Sequence, residues 1–271
     1  QASYDLNAQD NSGAISDGVE GSVTFWELNN SQTLVTLDLG DDATGADVSH
    51  PAHIHENDAE TGGGIAFYLT PIDGSDPGAA SARVINEPFD TLADFDGYVN
   101  VHESLENLGT IVSQGNIGSN ADADVTAGLD VVDSPRSTNY DLSAIENDGE
   151  EVPEGAPGIA KFSEVTEDLT LVTLNLDIEG ATEAGVSHPA HIHENDVATG
   201  GGIAFYLGPI DGSDPDSKSS MLIGESYDTL VDFDGYVNIH ESVANLGDIV
   251  SQGNIGANAE NGDDSGNGGG Y

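Results

Sequence analysis

The stretch His50-Pro51-Ala52-His53-Ile54-His55, followed by Gly97-Tyr98-Val99-Asn100-Val101-His102, decides how this chain is read. It returns as His188-Pro189-Ala190-His191-Ile192-His193 and Gly235-Tyr236-Val237-Asn238-Ile239-His240, each histidine displaced by 138 residues. The chain has eight histidines, and all of them lie in these two copies. In a strand, alternate side chains leave the same face with Cα atoms about 6.6 Å apart, so His53 and His55 can reach one ion together. His102, from another strand, completes a three-nitrogen set, and His191, His193 and His240 make its equivalent. Imidazole ligation without thiolate suits copper or zinc better than a hard cation such as calcium. Copper, one ion per domain, is the expected cofactor, with zinc second and calcium confined to acidic loops. His50 and His188 are candidate fourth ligands, outer hydrogen-bond donors or surface residues, because Pro51 and Pro189 interrupt a continuous strand. The competing reading of any His-x-His is a hydrogen-bonded pair with no metal, and duplication copies structural histidines as readily as ligands.

The duplication runs from end to end. Tyr4-Asp5-Leu6 returns as Tyr140-Asp141-Leu142, Leu34-Val35-Thr36-Leu37 as Leu171-Val172-Thr173-Leu174, and Asn107 to Gly118 as Asn245 to Gly256. Units of roughly 130 residues are ordinary single domains, whereas solenoid repeats are shorter and more numerous. The expected organisation is a first β domain over residues 1–133, a linker at 134–138 containing Pro135, a second β domain over 139–260 and a Gly- and Asp-rich tail at 261–271.

Short alternating runs bounded by Gly, Asn, Asp and Pro predict strands at Gly21–Leu28, Thr33–Leu39, Ala52–His55, Gly64–Leu69 and Gly97–His102. Their counterparts are Gly158–Val165, Thr170–Leu176, Ala190–His193, Gly202–Leu207 and Gly235–His240. Asp73-Gly74-Ser75-Asp76-Pro77 and Asp211-Gly212-Ser213-Asp214-Pro215 have turn chemistry. The fold class is therefore all-β, a tandem of two Greek-key sandwich or barrel domains. Gly62-Gly63-Gly64 lacks the Lys and Ser/Thr of a phosphate loop and reads as a turn. Phe67, Tyr68, Phe95 and Tyr98 read as packing residues. Glu56 and Glu103 are candidates to orient imidazoles, or else face solvent.

Composition narrows the partners. Fifty Asp and Glu against four Lys and Arg give a formal charge of −46, which repels nucleic acid and anionic membranes. With 37% hydrophobic residues and spread-out charge, the chain reads as folded domains with an acidic shell rather than as disorder. High salt, where the Debye length is about 3 Å at 1 M, makes such repulsion tolerable, so salt adaptation is the preferred reading, with a calcium-binding acidic surface as the alternative. The chain has no cysteine, hence no disulfide and no thiolate site. It has no apolar run of about 20 residues to span a membrane. Gln1 in place of Met suggests a removed export signal and an extracellular or cell-surface location. Asn29-Asn30-Ser31 fits a glycosylation sequon. The tail suggests self-association into filaments or layers by strand or tail addition to a neighbouring copy.

The two signature segments resemble those of the CHRD domain, an extracellular β module, and the resemblance covers most of both halves. They are also similar to copper-zinc superoxide dismutase: His53-Ile54-His55-Glu56 resembles its copper strand, and Val101-His102-Glu103 with Gly115-Asn116-Ile117-Gly118-Ser119 resembles a later copper segment and active-site loop. That likeness implies a Greek-key fold and a three-histidine copper position. It is incomplete, because no histidine between His55 and His102 supplies zinc or bridging ligands, no cysteine supplies the disulfide, and Asn120 and Asn258 stand where a guiding arginine is expected. The reading is a metal-binding structural or surface protein, with a copper-dependent dismutase-type oxidoreductase as the alternative.

Overall fold

A computed structural model of the chain describes residues 1–9, 18–40, 48–145, 155–177 and 185–259. It divides into two compact units, Gln1–Leu129 and Asp130–Tyr271. The division falls before the expected linker at 134–138, whose last two residues begin a strand: Ser137 and Thr138 pair with Ser163 and Phe162. Arg136 anchors the start of this strand, donating to both carboxylate oxygens of Glu164 at 2.8 and 2.9 Å. The tail at 261–271, on which the expectation of self-association rested, lies outside the described residues.

The first unit contains β1 (Ala2–Ala8), β2 (Gly21–Asn29), β3 (Gln32–Asp38), β4 (Ser49–Glu56), β5 (Ile65–Asp73), β6 (Ala80–Ile85), α1 (Phe89–Ala93), β7 (Asp96–His102), β8 (Ile111–Gly118) and β9 (Asp124–Val125). All pairings within it are antiparallel. One sheet runs β9-β1-β2-β3-β6, and the other β5-β4-β7-β8. The end of β1 passes to the second sheet, where Asn7 and Ala8 pair with Gln114 and Ser113. Thus β3 skips β4 and β5 to reach β6, and β4 skips to β7.

Between the sheets lies an apolar core. Tyr4 and Leu6 of β1, Val23 and Phe25 of β2, Val35 and Leu37 of β3, Ile54 of β4, and Val99 and Val101 of β7 fill it, each at alternate positions of its strand. Burial of these side chains fixes the register, because a slip of one residue would exchange core and outer faces along a whole strand.

The second unit repeats this arrangement with β10 (Ser137–Ala144), β11 (Gly158–Glu164), β12 (Thr170–Leu176), β13 (Ser187–Glu194), β14 (Ile203–Asp211), β15 (Lys218–Ile223), α2 (Tyr227–Val231), β16 (Asp234–Ser242) and β17 (Asn245–Gly256). β12 pairs with β15, and β13 lies between β14 and β16. Its core is built around Phe162, Leu174, Ile192, Val237 and Ile239.

One local detail differs from the sequence expectation. Pro51 does not end the strand: β4 continues from Ser49 through it, the pairing with β5 shifts register between His50 and Ala52, and pairing with β7 starts only at Ala52. The missing N–H of proline therefore falls where no β7 carbonyl needs it. The Asp73–Pro77 turn forms as expected, with Asp73 Oδ1 accepting from the Ser75 N–H at 2.8 Å and Asp76 Oδ1 from the Gly78 N–H at 2.9 Å. Among the described residues no helix is long and apolar enough to cross a membrane.

Candidate metal centre

Strand parity assembles the site. In β4, Ala52 and Ile54 point into the core, so His53 and His55 leave by the other face. Their cross-strand partners are Tyr68 and Asn100 for His53, and Ile65 and Tyr98 for His55. His102 ends β7 on the face of Tyr98 and Asn100, at a register shift that follows Val101.

The three rings converge. Centroids of His53 and His102 are 5.1 Å apart, those of His53 and His55 5.8 Å, and those of His55 and His102 6.2 Å. Their nearest ligand atoms all lie within 4.8 Å of one another. Two nitrogens bound to one ion at about 2.0–2.1 Å are at most about 4.2 Å apart. The 3.1 Å between His53 Nδ1 and His102 Nε2 already meets this limit, and no pair needs to close by more than about 0.6 Å.

Backbone carbonyls set which nitrogen each ring presents. His102 Nδ1 donates to the Leu108 carbonyl at 2.7 Å, and His55 Nδ1 donates to the Gly63 carbonyl at 3.1 Å. A neutral imidazole that donates from Nδ1 keeps its lone pair on Nε2, so both rings turn a ligand atom towards the cluster. His55 Nε2 is buried with no hydrogen-bond partner. An orphaned buried acceptor is costly, and a bound cation satisfies it. With His102 Nε2 as acceptor, His53 Nδ1 carries a proton that an ion would displace.

Electrostatics agree with this geometry. Burial, reinforced by repulsion from His102 and His55, pushes the His53 imidazole down to about 3. Burial likewise pushes His102 down to about 4 against the Leu108 hydrogen bond, and lowers His55. The rings are held neutral, the form that binds metal.

Aromatic side chains wall the cluster. Tyr98 stacks on His55 with centroids 5.0 Å apart, and Tyr68 meets His53 edge-on at 4.9 Å. Their sequence context marks both only as packing residues. The Tyr98 hydroxyl also accepts from the Gly63 N–H at 3.3 Å, which ties the glycine turn to the ring it orients. Gly62 has φ +73°, and a Cβ on Gly63 would sit 2.0 Å from the Glu56 carbonyl oxygen. The run 62–64 is a turn, as its sequence suggested, but one that delivers a carbonyl to His55. Gly63→Ala is therefore expected to displace that carbonyl and weaken metal binding in the first unit at least as much as loss of an outer-shell partner, roughly 10–100-fold. Titration of the variant, with the second unit as internal control, checks this.

The second unit reproduces the site. His191 Nδ1 lies 3.0 Å from His240 Nε2, His240 Nδ1 donates to Leu246 at 2.7 Å, and His193 Nδ1 donates to Gly201 at 3.1 Å. His193 Nε2 is likewise buried without a hydrogen-bond partner, and Tyr236 stacks on the ring.

His50 and His188 lie elsewhere. Each shares the parity of the core-facing Ala52 or Ala190 and is at most 1% exposed. His50 Nδ1 donates to the His102 carbonyl at 3.0 Å, and His188 Nδ1 to the His240 carbonyl at 3.1 Å. They brace the backbone of a triad member and are not members of the ligand groups. Carbonyls, rather than Glu56 or Glu103, receive the Nδ1 protons of His55 and His102; Glu56 is exposed, and the Glu103 carboxylate accepts from Asn107 Nδ2. Among the described residues, the groups of three or more His, Cys, Asp or Glu side chains close enough to hold an ion are the two histidine triads.

Fold and site together define a chain of two all-β units, each with a buried three-imidazole cluster suited to a metal ion. No protein-family model matches the chain, and neither a curated protein nor a solved structure matches it.

Proposed function

We propose that the chain is an exported, salt-adapted surface or extracellular structural protein of two CHRD-like domains, each holding one copper ion. The observation that carries the metal-binding part of this reading is the buried triad itself: three neutral imidazoles, two of them aimed by backbone carbonyls, with no carboxylate or thiolate among the ligands. Such a set favours copper, then zinc. The CHRD resemblance is supported by where its two signature segments fall, on the adjacent strands β4 and β7 that supply the ligands. The pairings of β3 with β6 and β4 with β7 support a Greek-key order.

A bound copper ion supplies Lewis acidity and one-electron redox chemistry. The residues around it hold and orient. His53, His55 and His102 are the ligands; the Gly63 and Leu108 carbonyls keep two rings in one tautomer, and Tyr98 restrains the His55 ring.

The alternative, a dismutase-type oxidoreductase, is favoured by the same three-nitrogen set, which would hold a redox-active copper ion. Two observations oppose it. Asn120 is engaged in a latch, donating to the Asn57 carbonyl at 3.1 Å and to Asp96 Oδ1 at 2.8 Å, and offers no positive charge. The net charge of −46 also repels an anionic substrate, and steering effects span roughly 10–1000-fold in rate. Metal analysis followed by a superoxide assay separates the readings. Bound copper with turnover no faster than the metal-free chain supports a structural site, whereas rapid copper-dependent turnover overturns it.

A further inference from the structure

The hairpin between β2 and β3 carries a feature that metal binding leaves unused. Its tip is Asn29-Asn30-Ser31-Gln32, with Asn29 paired to Gln32 across a two-residue turn. Asn30 and Ser31 are exposed and Asn29 is half-buried. Asn29 Oδ1 accepts from both the Ser31 N–H and the Ser31 hydroxyl, each at 2.9 Å. Its Nδ2 donates to Gln32 Oε1 at 2.9 Å. The sequon hydroxyl thus already lies on the carboxamide it must accompany, at a turn whose two central residues are exposed.

We infer that Asn29 is a site of N-linked glycosylation. Asn-x-Ser is the acceptor pattern, and it belongs on a surface turn of an exported protein. The inference rests on the export reading. The sequence supplies a contrast: the matching turn of the second unit reads Val165-Thr166-Glu167-Asp168-Leu169, with no asparagine, so modification is confined to one unit. In the reaction, Asn29 Nδ2 attacks the anomeric carbon of a sugar activated on a phosphate or diphosphate carrier. The new C–N bond replaces the sugar C–O bond, the carrier phosphate leaves with the bonding pair, and the amide nitrogen loses one proton to the transferase. No electrons are exchanged with any oxidant. Around Asn29 the turn is open to solvent on the Asn30 and Ser31 side, and a neutral glycan adds no charge to an already acidic surface.

The test is the intact mass and the peptide map of the protein isolated from its native cells, with cells and medium collected separately. The expected result is a glycan mass on the peptide containing Asn29 and none on the peptide containing Thr166. Asn29→Gln and Ser31→Ala should each remove that mass, and Ser31→Thr should keep it. Ser31→Ala retains Asn29 and its bond to Gln32, so it separates loss of the acceptor from loss of the turn. An Asn29 peptide found wholly unmodified overturns the inference. If that unmodified protein is in the medium, the export reading stands without it; if it stays inside the cell, both fall.

Discussion

Copper(II) titrated into the metal-free protein is expected to bind two ions per chain and to raise its resistance to unfolding, and His102→Gln is expected to remove one of the two. Ligand that binds only the folded state adds RT ln(1 + [L]/Kd), which is about 4 kcal/mol at a thousandfold excess over Kd. His102 is the natural place to break the first site, because its Nε2 lies 3.1 Å from His53 Nδ1 and its Nδ1 is held by Leu108. Losing a ligand outright should cost more than the roughly 10–100-fold that follows loss of an outer-shell partner. Metal content and thermal unfolding, read together, check the prediction. His50→Gln is the control: it removes the bond to the His102 carbonyl without removing a triad nitrogen, so two ions should still bind, more weakly in the first unit.

Acid is expected to destabilise the metal-free first unit well above the pH at which its buried histidines titrate. Unfolded histidine takes up a proton near pH 6.5, whereas folded His53 and His102 do so only near 3 and 4. Between these limits the unfolded state binds more protons, so stability falls as pH falls. Each such ring contributes about 1.4 kcal/mol per pH unit, hence about 2 kcal/mol by pH 5 and about 4 kcal/mol for the two rings. The fifty acidic side chains act in the opposite sense, since protonation relieves their repulsion. Comparing the wild type with a His53→Gln, His102→Gln double variant cancels that contribution. Denaturant unfolding at pH 7 and pH 5 should show the wild type losing stability that the variant retains, and equal losses in both would show that the rings are not held neutral. Bound metal should come off in the same acidic range, because protons compete for the same nitrogens.

Much of the site was legible because metal chemistry and strand geometry use residue identity directly. Alternation in Ala52 to His55 predicted one face, and the 138-residue repeat predicted two copies; the triads follow from both. What positions them was not legible. The Gly63 and Leu108 carbonyls are backbone groups, so no residue type announces them, and the glycine run showed only that a turn was needed. His50 was ambiguous because Pro51 obscured the parity that the register shift of β4 preserves.

Strand β8 was missed for a similar reason. Ile111-Val112-Ser113-Gln114-Gly115-Asn116-Ile117-Gly118 is rich in turn formers, yet Gly115 is required by close approach of β1, where a Cβ would lie 2.2 Å from the Asp5 carbonyl oxygen. Its glycine marks a tight sheet contact rather than a turn. β1 was missed because Ala2, Tyr4 and Leu6 alternate over too short a run to stand out, and their burial comes from partners distant in sequence.

An anomalous-difference map from crystals loaded with copper, collected at the copper edge, tests the central claim most directly. The account predicts two peaks per chain, one about 2.0–2.1 Å from His53 Nδ1, His55 Nε2 and His102 Nε2, and one equally placed among His191, His193 and His240. Copper bound elsewhere, or triads that stay empty at full loading, would contradict it.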